Sequence, residues 1–229
     1  MKKLSKKYAA ALKEIDRSKK YSVAEAAAVI KKTSTTKFDA PVQICFNLNL
    51  NTKQPDQQLR GTISLPNGSG KTKKVLAVTN TKVEEAKAAG ADYAGGVELL
   101  EKIQKENWFD FDVIVATPDM MGQLGKMGRV LGPKGLMPNP KSGTVSPDIA
   151  TAVKEIKNGK ITYRTDKDGN VSCAVGLVSF TEEALVENIN TVINTISRVK
   201  PASVKGTYVK SVSLHTCMGP AVKLEYIVK

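Results

Sequence analysis

Residues 122–144 run GQLGKMGRVLGPKGLMPNPKSGT, and the reading of this stretch decides how the chain divides. Six glycines and three prolines fall in 23 residues, with four basic side chains and no acid. A flexible linker is polar throughout, but this stretch carries Leu124, Met127, Val130, Leu131, Leu136 and Met137. Those apolar residues predict short turns folded onto a core, with glycine supplying the unusual backbone angles. An ordered loop of this length is usually functional, and a disordered hinge is the other reading.

Upstream of the stretch, the short apolar runs 75–78 and 112–116 predict buried strands. Helices are expected over 82–89 and 97–104, with a small strand or turn at 91–96 between them. Strand, helix, strand, helix, strand with continuous apolar strands predicts a small parallel α/β sheet. A helix from about 146 to 157 follows the Gly/Pro stretch, and Asn158-Gly159 marks a break.

The two ends of the chain have a different style. Residues 1–20 hold eight Lys or Arg, and Leu4, Tyr8, Ala11, Leu12 and Ile15 space as a basic amphipathic helix. Ser22 and Glu25 form a capping box for a helix over 23–32. Residues 38–50 alternate through Val42, Ile44, Phe46, Leu48 and Leu50 as a half-buried strand. Near the C-terminus, Asp168-Gly169 predicts a hairpin between strands 161–165 and 170–175. Ser179 and Glu182 predict a second capping box, opening a helix that ends before Pro201. Strands are expected at 207–214 and 222–228, joined by about seven residues around Cys217-Met218-Gly219-Pro220.

These segments lack the core to stand apart, so residues 1–67 and 160–229 are expected to form one discontinuous α+β domain, interrupted by an α/β insertion at 68–159. Charge separates the two. The terminal segments hold 13 basic and 5 acidic, then 9 and 6, for a net +11; the insertion is only +2 of the chain's +13. A polyanion-facing surface is therefore expected on the terminal domain.

Three cysteines without CxxC spacing and a single histidine argue against a zinc site or disulfide framework, so no metal or cofactor is expected. No apolar run is long enough to span a membrane. Gly68-Ser69-Gly70-Lys71-Thr72 resembles a P-loop, but Leu65 stands where its first glycine belongs and a strand follows instead of a helix. A glycine hinge at Gly68, Gly70 and Gly159 is the preferred reading. Asp166, Asp168 and Asn170 start a calcium-loop pattern that Val171 and Leu177 break. For RNA contact, Lys37 sits beside the aromatic Phe38, Arg164 and Lys167 lie at the predicted hairpin, and Ser211 leads toward Gly219, where a backbone without Cβ permits close approach.

The run Leu131 to Lys141, LGPKGLMPNPK, followed by Gly143-Thr144, resembles the signature of the large-subunit ribosomal protein one family. The likeness extends through Lys37-Phe38-Asp39 and Arg60-Gly61-Thr62 to the C-terminal turn. It implies a split-βαβ-like terminal domain, a Rossmann-like insertion and a cytoplasmic protein, monomeric when free. Its implied partners are large-subunit rRNA of the mobile stalk, exit-site tRNA whose release it assists, and its own mRNA, which it represses. The resemblance maps RNA contact onto Cys217, Met218 and Gly219, although Cys217 stands where threonine is usual, and the neighbouring Thr216 offers a hydroxyl in its place. Lys126, Arg129, Lys134 and Lys141 are expected to form a second, weaker basic surface that meets tRNA or a neighbouring rRNA segment. A nucleotide-dependent α/β enzyme and a free RNA-binding regulator are the alternatives.

Overall fold

The alternation in residues 38–50 condenses into one strand, Pro41–Leu48, whose Val42, Ile44, Phe46 and Leu48 are 1% exposed or less. The computed structural model that establishes this describes residues 4–226. In chain order its first half contains α1 (Lys6–Lys13), α2 (Val23–Thr33), β1 (Pro41–Leu48), β2 (Arg60–Ser64), β3 (Val75–Val78), α3 (Val83–Ala88), β4 (Tyr93–Gly95), α4 (Val97–Glu106) and β5 (Val113–Ala116). The second half contains α5 (Met121–Lys126), α6 (Gly128–Leu131), α7 (Ile149–Lys157), β6 (Lys160–Arg164), β7 (Asn170–Leu177), α8 (Glu182–Arg198), β8 (Val209–Thr216) and β9 (Val222–Leu224). The chain separates into two compact units, Met1–Gly70 with Ile161–Lys229, and Lys71–Lys160.

In the first unit, β7, β1, β8 and β9 form an antiparallel sheet in that order. Its inner face and the apolar stripes of α2 and α8 share one core, in which Ile30, Leu185, Ile189, Val192 and Ile196 meet the buried row of β1. Tyr21 extends the β9 edge, donating its N–H to Lys223 O and accepting from Glu225 N. The Ser22–Glu25 capping box is present, with both reciprocal hydrogen bonds at 3.3 Å.

Several expectations need correction here. The N-terminal helix is short, because Ser5 caps it and it ends at Lys13. The end of the strand expected at 222–228 lies outside the described residues, as do residues 1–3. The second capping box is not at Ser179: Thr181 caps α8 by accepting from Ala184 N. Ser179 binds Asp39 instead, through its N–H at 3.1 Å and its hydroxyl at 2.6 Å. The Asp168-Gly169 turn forms, but its flanking strands diverge. β6 pairs with β2 while β7 pairs with β1, leaving a single Thr165–Val171 bridge. The sheet edge of β1 competes for β7 and wins, a tertiary preference that the turn dipeptide does not reveal.

In the second unit β3 is central to a parallel sheet, with β4 and β5 on either side. Successive β3 residues enter opposite cores: Leu76 and Val78 join Leu100, Ile103, Leu124 and Leu131, while Val75 and Ala77 join Ala86, Ile149 and Val153. Burial on both faces explains the unbroken apolar run. The Gly/Pro stretch covers one face with α5 and α6, and Val145 then returns beside Ala116.

Asn188 ties the 67–70 turn to the first unit. It is fully buried, accepts from Asn67 N at 3.2 Å and donates to Gly68 O at 3.1 Å and Val175 O at 2.8 Å. Asn188→Ala strands these buried backbone groups and is expected to lower stability by about 1–3 kcal/mol. Chemical denaturation of the intact chain checks this, and a loss under about 0.5 kcal/mol, the usual scale of an innocuous substitution, would contradict it.

Candidate RNA interface

The inner row of β1 is sealed in the core, so its alternate residues form the opposite face of the sheet. Register lines them into three cross-strand rows. Asn47 lies between Asn170 and Ser211, Cys45 between Ser172 and Ser213, and Gln43 between Ala174 and His215. Ser172 donates to Cys45 Sγ at 3.4 Å. Burial pushes the His215 pKa down, which favours the neutral imidazole. The result is an uncharged face of hydroxyls, amides and a thiol. Its chemistry matches the 2′-hydroxyls of an RNA minor groove, which carry both donors and acceptors.

Each end of this face carries part of the expected contact set. At one end, Lys37 and Phe38 are exposed, Phe38 at 53% despite its apolar ring. The two hydrogen bonds between Asp39 and Ser179 anchor this segment. The 217–221 turn lies beside it, since Cys217 N donates to Pro41 O at 3.2 Å. Met218 is 75% exposed, the largest exposure among the apolar side chains at this end. At the other end Arg164 and Lys167 line a cleft of about 480 Å³ with Thr52 and Asp166. Thr52 Oγ1 donates to Lys167 O at 2.5 Å, and the Asn170 backbone N–H holds the Asp166 carboxyl below the usual carboxylate range. Ser211, paired with Asn47, belongs to this end. Six residue steps along β1 separate the ends by about 20 Å.

Two expected residues behave differently. Thr216 is 1% exposed, so its hydroxyl is unavailable to a partner and does not replace the one absent from Cys217. The residue with positive φ in the turn is Met218, at 61°, and Gly219 has none. A Cβ on Gly219 would collide with Thr216 Oγ1, so the glycine is required by packing inside the protein. The connection is also shorter than expected, at 217–221, because β8 runs on to Thr216.

Lys126, Arg129, Lys134 and Lys141 are all exposed in the second unit, on α5, α6 and the turns that follow. No carboxylate among the described residues lies within 4.0 Å of any of them. Lys134 packs its ammonium 3.7 Å from the centre of the Phe109 ring. Gly68, Gly70 and Gly159 have positive φ of 67°, 75° and 95°. A Cβ on Gly70 would meet Leu177 at 2.7 Å and Phe180 at 2.9 Å, so this glycine is packed within the first unit. β3 follows the Gly68–Thr72 segment directly, an arrangement unlike a phosphate-binding loop. No group of three or more metal-ligating side chains is present among the described residues.

The uncharged rows containing Gln43, Cys45, Asn47, Ser172 and Ser213 were not singled out from sequence. Their signal was available as the off-phase positions of the β1, β7 and β8 alternations, which are small or polar and without charge.

Burial raises the Cys173 thiol pKa to about 12, whereas Cys45 and Cys217 are partly exposed. A maleimide at neutral pH should label the latter two and spare Cys173 in the native chain; fast labelling of all three would contradict the assigned faces. Gly219→Ala should lower the melting temperature, and adding Thr216→Ala should restore most of the loss. Equal melting of the single and double variants would refute the internal collision.

Comparison with known proteins adds an independent finding. The profile of the Ribosomal protein L1p/L10e family matches residues 30–220. The chain is 56% identical over 225 residues to large ribosomal subunit protein uL1 of Mesoplasma florum, covering 98% of this chain and 99% of that one. Proteins of the same name from Mycoplasma capricolum and Mycoplasma mycoides are each 53% identical over 226 residues, covering 99% of this chain and all of theirs.

Proposed function

Because the chain belongs to the Ribosomal protein L1p/L10e family, we propose that it is a non-enzymatic constituent of the large ribosomal subunit, working in the cytoplasm and holding stalk rRNA with its split, split-βαβ-like domain. The observation that carries this reading is the uncharged outer face of β7, β1 and β8, flanked by Phe38 and Met218 at one end and Arg164 and Lys167 at the other. The first unit contains 21 basic and 11 acidic residues, net +10, against +3 for the second. Phosphates drawn by that charge bring an RNA groove onto hydroxyl and amide groups that read 2′-OH positions and shape, while Phe38 and Met218 pack on sugar or base.

On this reading the Rossmann-like insertion is a second, weaker RNA surface, with Lys126, Arg129 and Lys141 free to meet exit-site tRNA and help release it. The glycines near the two chain crossings form the pivot. Repression of its own mRNA follows if that message offers the same RNA shape to the first unit.

Phe38→Ala combined with Met218→Ala is expected to weaken binding to a stalk-rRNA fragment by about tenfold or more, on the scale of one lost stacking contact. Neither side chain belongs to the core, so the melting temperature should hold. Replacing Lys126, Arg129, Lys134 and Lys141 with glutamine should leave stalk affinity within about twofold, the scale of a screened surface effect, while slowing tRNA release. The reverse pattern, with the loop variant losing rRNA and the double variant keeping it, would put the interface on the second unit. Co-sedimentation with large subunits at moderate salt separates a ribosomal constituent from a free regulator, which would stay in the supernatant.

A further inference from the structure

α1 lies over part of the outer sheet face, leaving a groove of about 500 Å³ along β8 and β9. This is within the size range of small-molecule sites. The groove has three kinds of wall. Tyr8 and Leu12 of α1 supply an aromatic and an aliphatic surface, both half-buried. Ser211 and Ser213 supply hydroxyls from the neutral face. Arg17 and Lys223 are exposed cations at the groove, and neither has a carboxylate within 4.0 Å among the described residues.

We propose that this groove takes one unpaired nucleotide of the bound RNA, its base against Tyr8 and Leu12 and its phosphate on Arg17 and Lys223. The inference rests on the reading of the outer face as the RNA surface, with which the groove is continuous through Ser211 and Ser213. A helix alone would not call for such a space. The combination of a stacking surface, hydroxyls and two free cations is the chemistry by which single-stranded RNA is held. A purely apolar partner would leave both cations desolvated, and a free phosphate would leave the aromatic wall unused.

One further group sets a preference. The Asp16 carboxylate also lines the groove, and its Oδ1 accepts from Ser18 N at 2.9 Å. A carboxylate accepts from an exocyclic amino group, such as cytosine N4, and has no donor for a carbonyl in that place. The groove therefore favours cytosine over uracil, which presents a carbonyl oxygen where cytosine presents the amine.

The test uses the intact chain, following the backbone amides of Ser211 and Ser213 by NMR during titration with CMP, UMP and inorganic phosphate. CMP should shift both signals saturably, UMP should bind at least about threefold more weakly, as expected for one exchanged hydrogen bond, and phosphate alone should not reproduce the shifts. Asp16→Asn, which keeps an oxygen for Ser18 N, should erase the discrimination without lowering the melting temperature. Phosphate acting like CMP would reduce the groove to an anion site, and absence of shifts with both nucleotides would overturn the proposal. Affinity for the stalk-rRNA fragment is measured in parallel. Tyr8→Ala, and Leu12→Trp, which fills the groove without deleting α1, should each lose about tenfold, the scale of one stacked base. If these variants bind normally while Phe38→Ala with Met218→Ala does not, the groove proposal alone falls. If all of them bind like the parent chain, the RNA reading of the whole face falls with it.

Discussion

The first unit depends on β1 being paired along both edges. Its neighbours β7 and β8 come from the far end of the chain, so one strand stitches two distant segments into a single sheet. The pairing is pinned by side chains as well as by backbone. Val42, Ile44, Phe46 and Leu48 are all sealed beneath α2 and α8, and a slip of one residue would turn that row out to water. Each such side chain gains about 1.5–3 kcal/mol from burial, so the register is strongly held. The second unit leaves and returns to the chain between β2 and β6, which pair with each other as a separate two-stranded sheet.

The same constraint creates the candidate interface. Fixing one face in the core turns the other outward, and across β7, β1 and β8 the paired residues on that face are neutral. Cations lie at its ends, on β9 as Lys223 and in the N-terminal segment as Arg17, and the exposed apolar groups Phe38 and Met218 lie at one end. That division suits a partner whose charge is peripheral and whose grooves carry hydroxyls. In the second unit, by contrast, both faces of the sheet are covered, and the charged groups that the Gly/Pro stretch turns to solvent are all basic.

Period-two alternation made β1 legible from sequence, and unbroken apolar runs made β3 and β5 legible, because burial on one or two faces writes directly into residue type. Ser22 was legible as a cap for the same local reason. Competition between distant groups was not legible. Ser179 with Glu182 is the stronger cap signal by sequence, but Ser179 binds Asp39 and Thr181 caps the helix. The turn at Asp168-Gly169 promised a hairpin, but the edge of β1 takes β7. At the site, the residue types of Lys37, Arg164 and Met218 pointed to contact, and all three are exposed. The Thr216 hydroxyl was misjudged because strand phase buries it, and it is Thr216 that crowds Gly219, whose φ is not positive. The family likeness brought out the 216–219 turn and the Gly/Pro signature; the neutral rows needed the register.

Hydroxyl-radical footprinting of the intact chain, with and without the stalk-rRNA fragment, tests the central claim most directly. The account predicts that RNA protects Phe38 and Met218 strongly while Met121 and Met137 in the second unit oxidise at nearly unchanged rates. Protection of Met121 and Met137, with Phe38 and Met218 still oxidised as in the free protein, would contradict it.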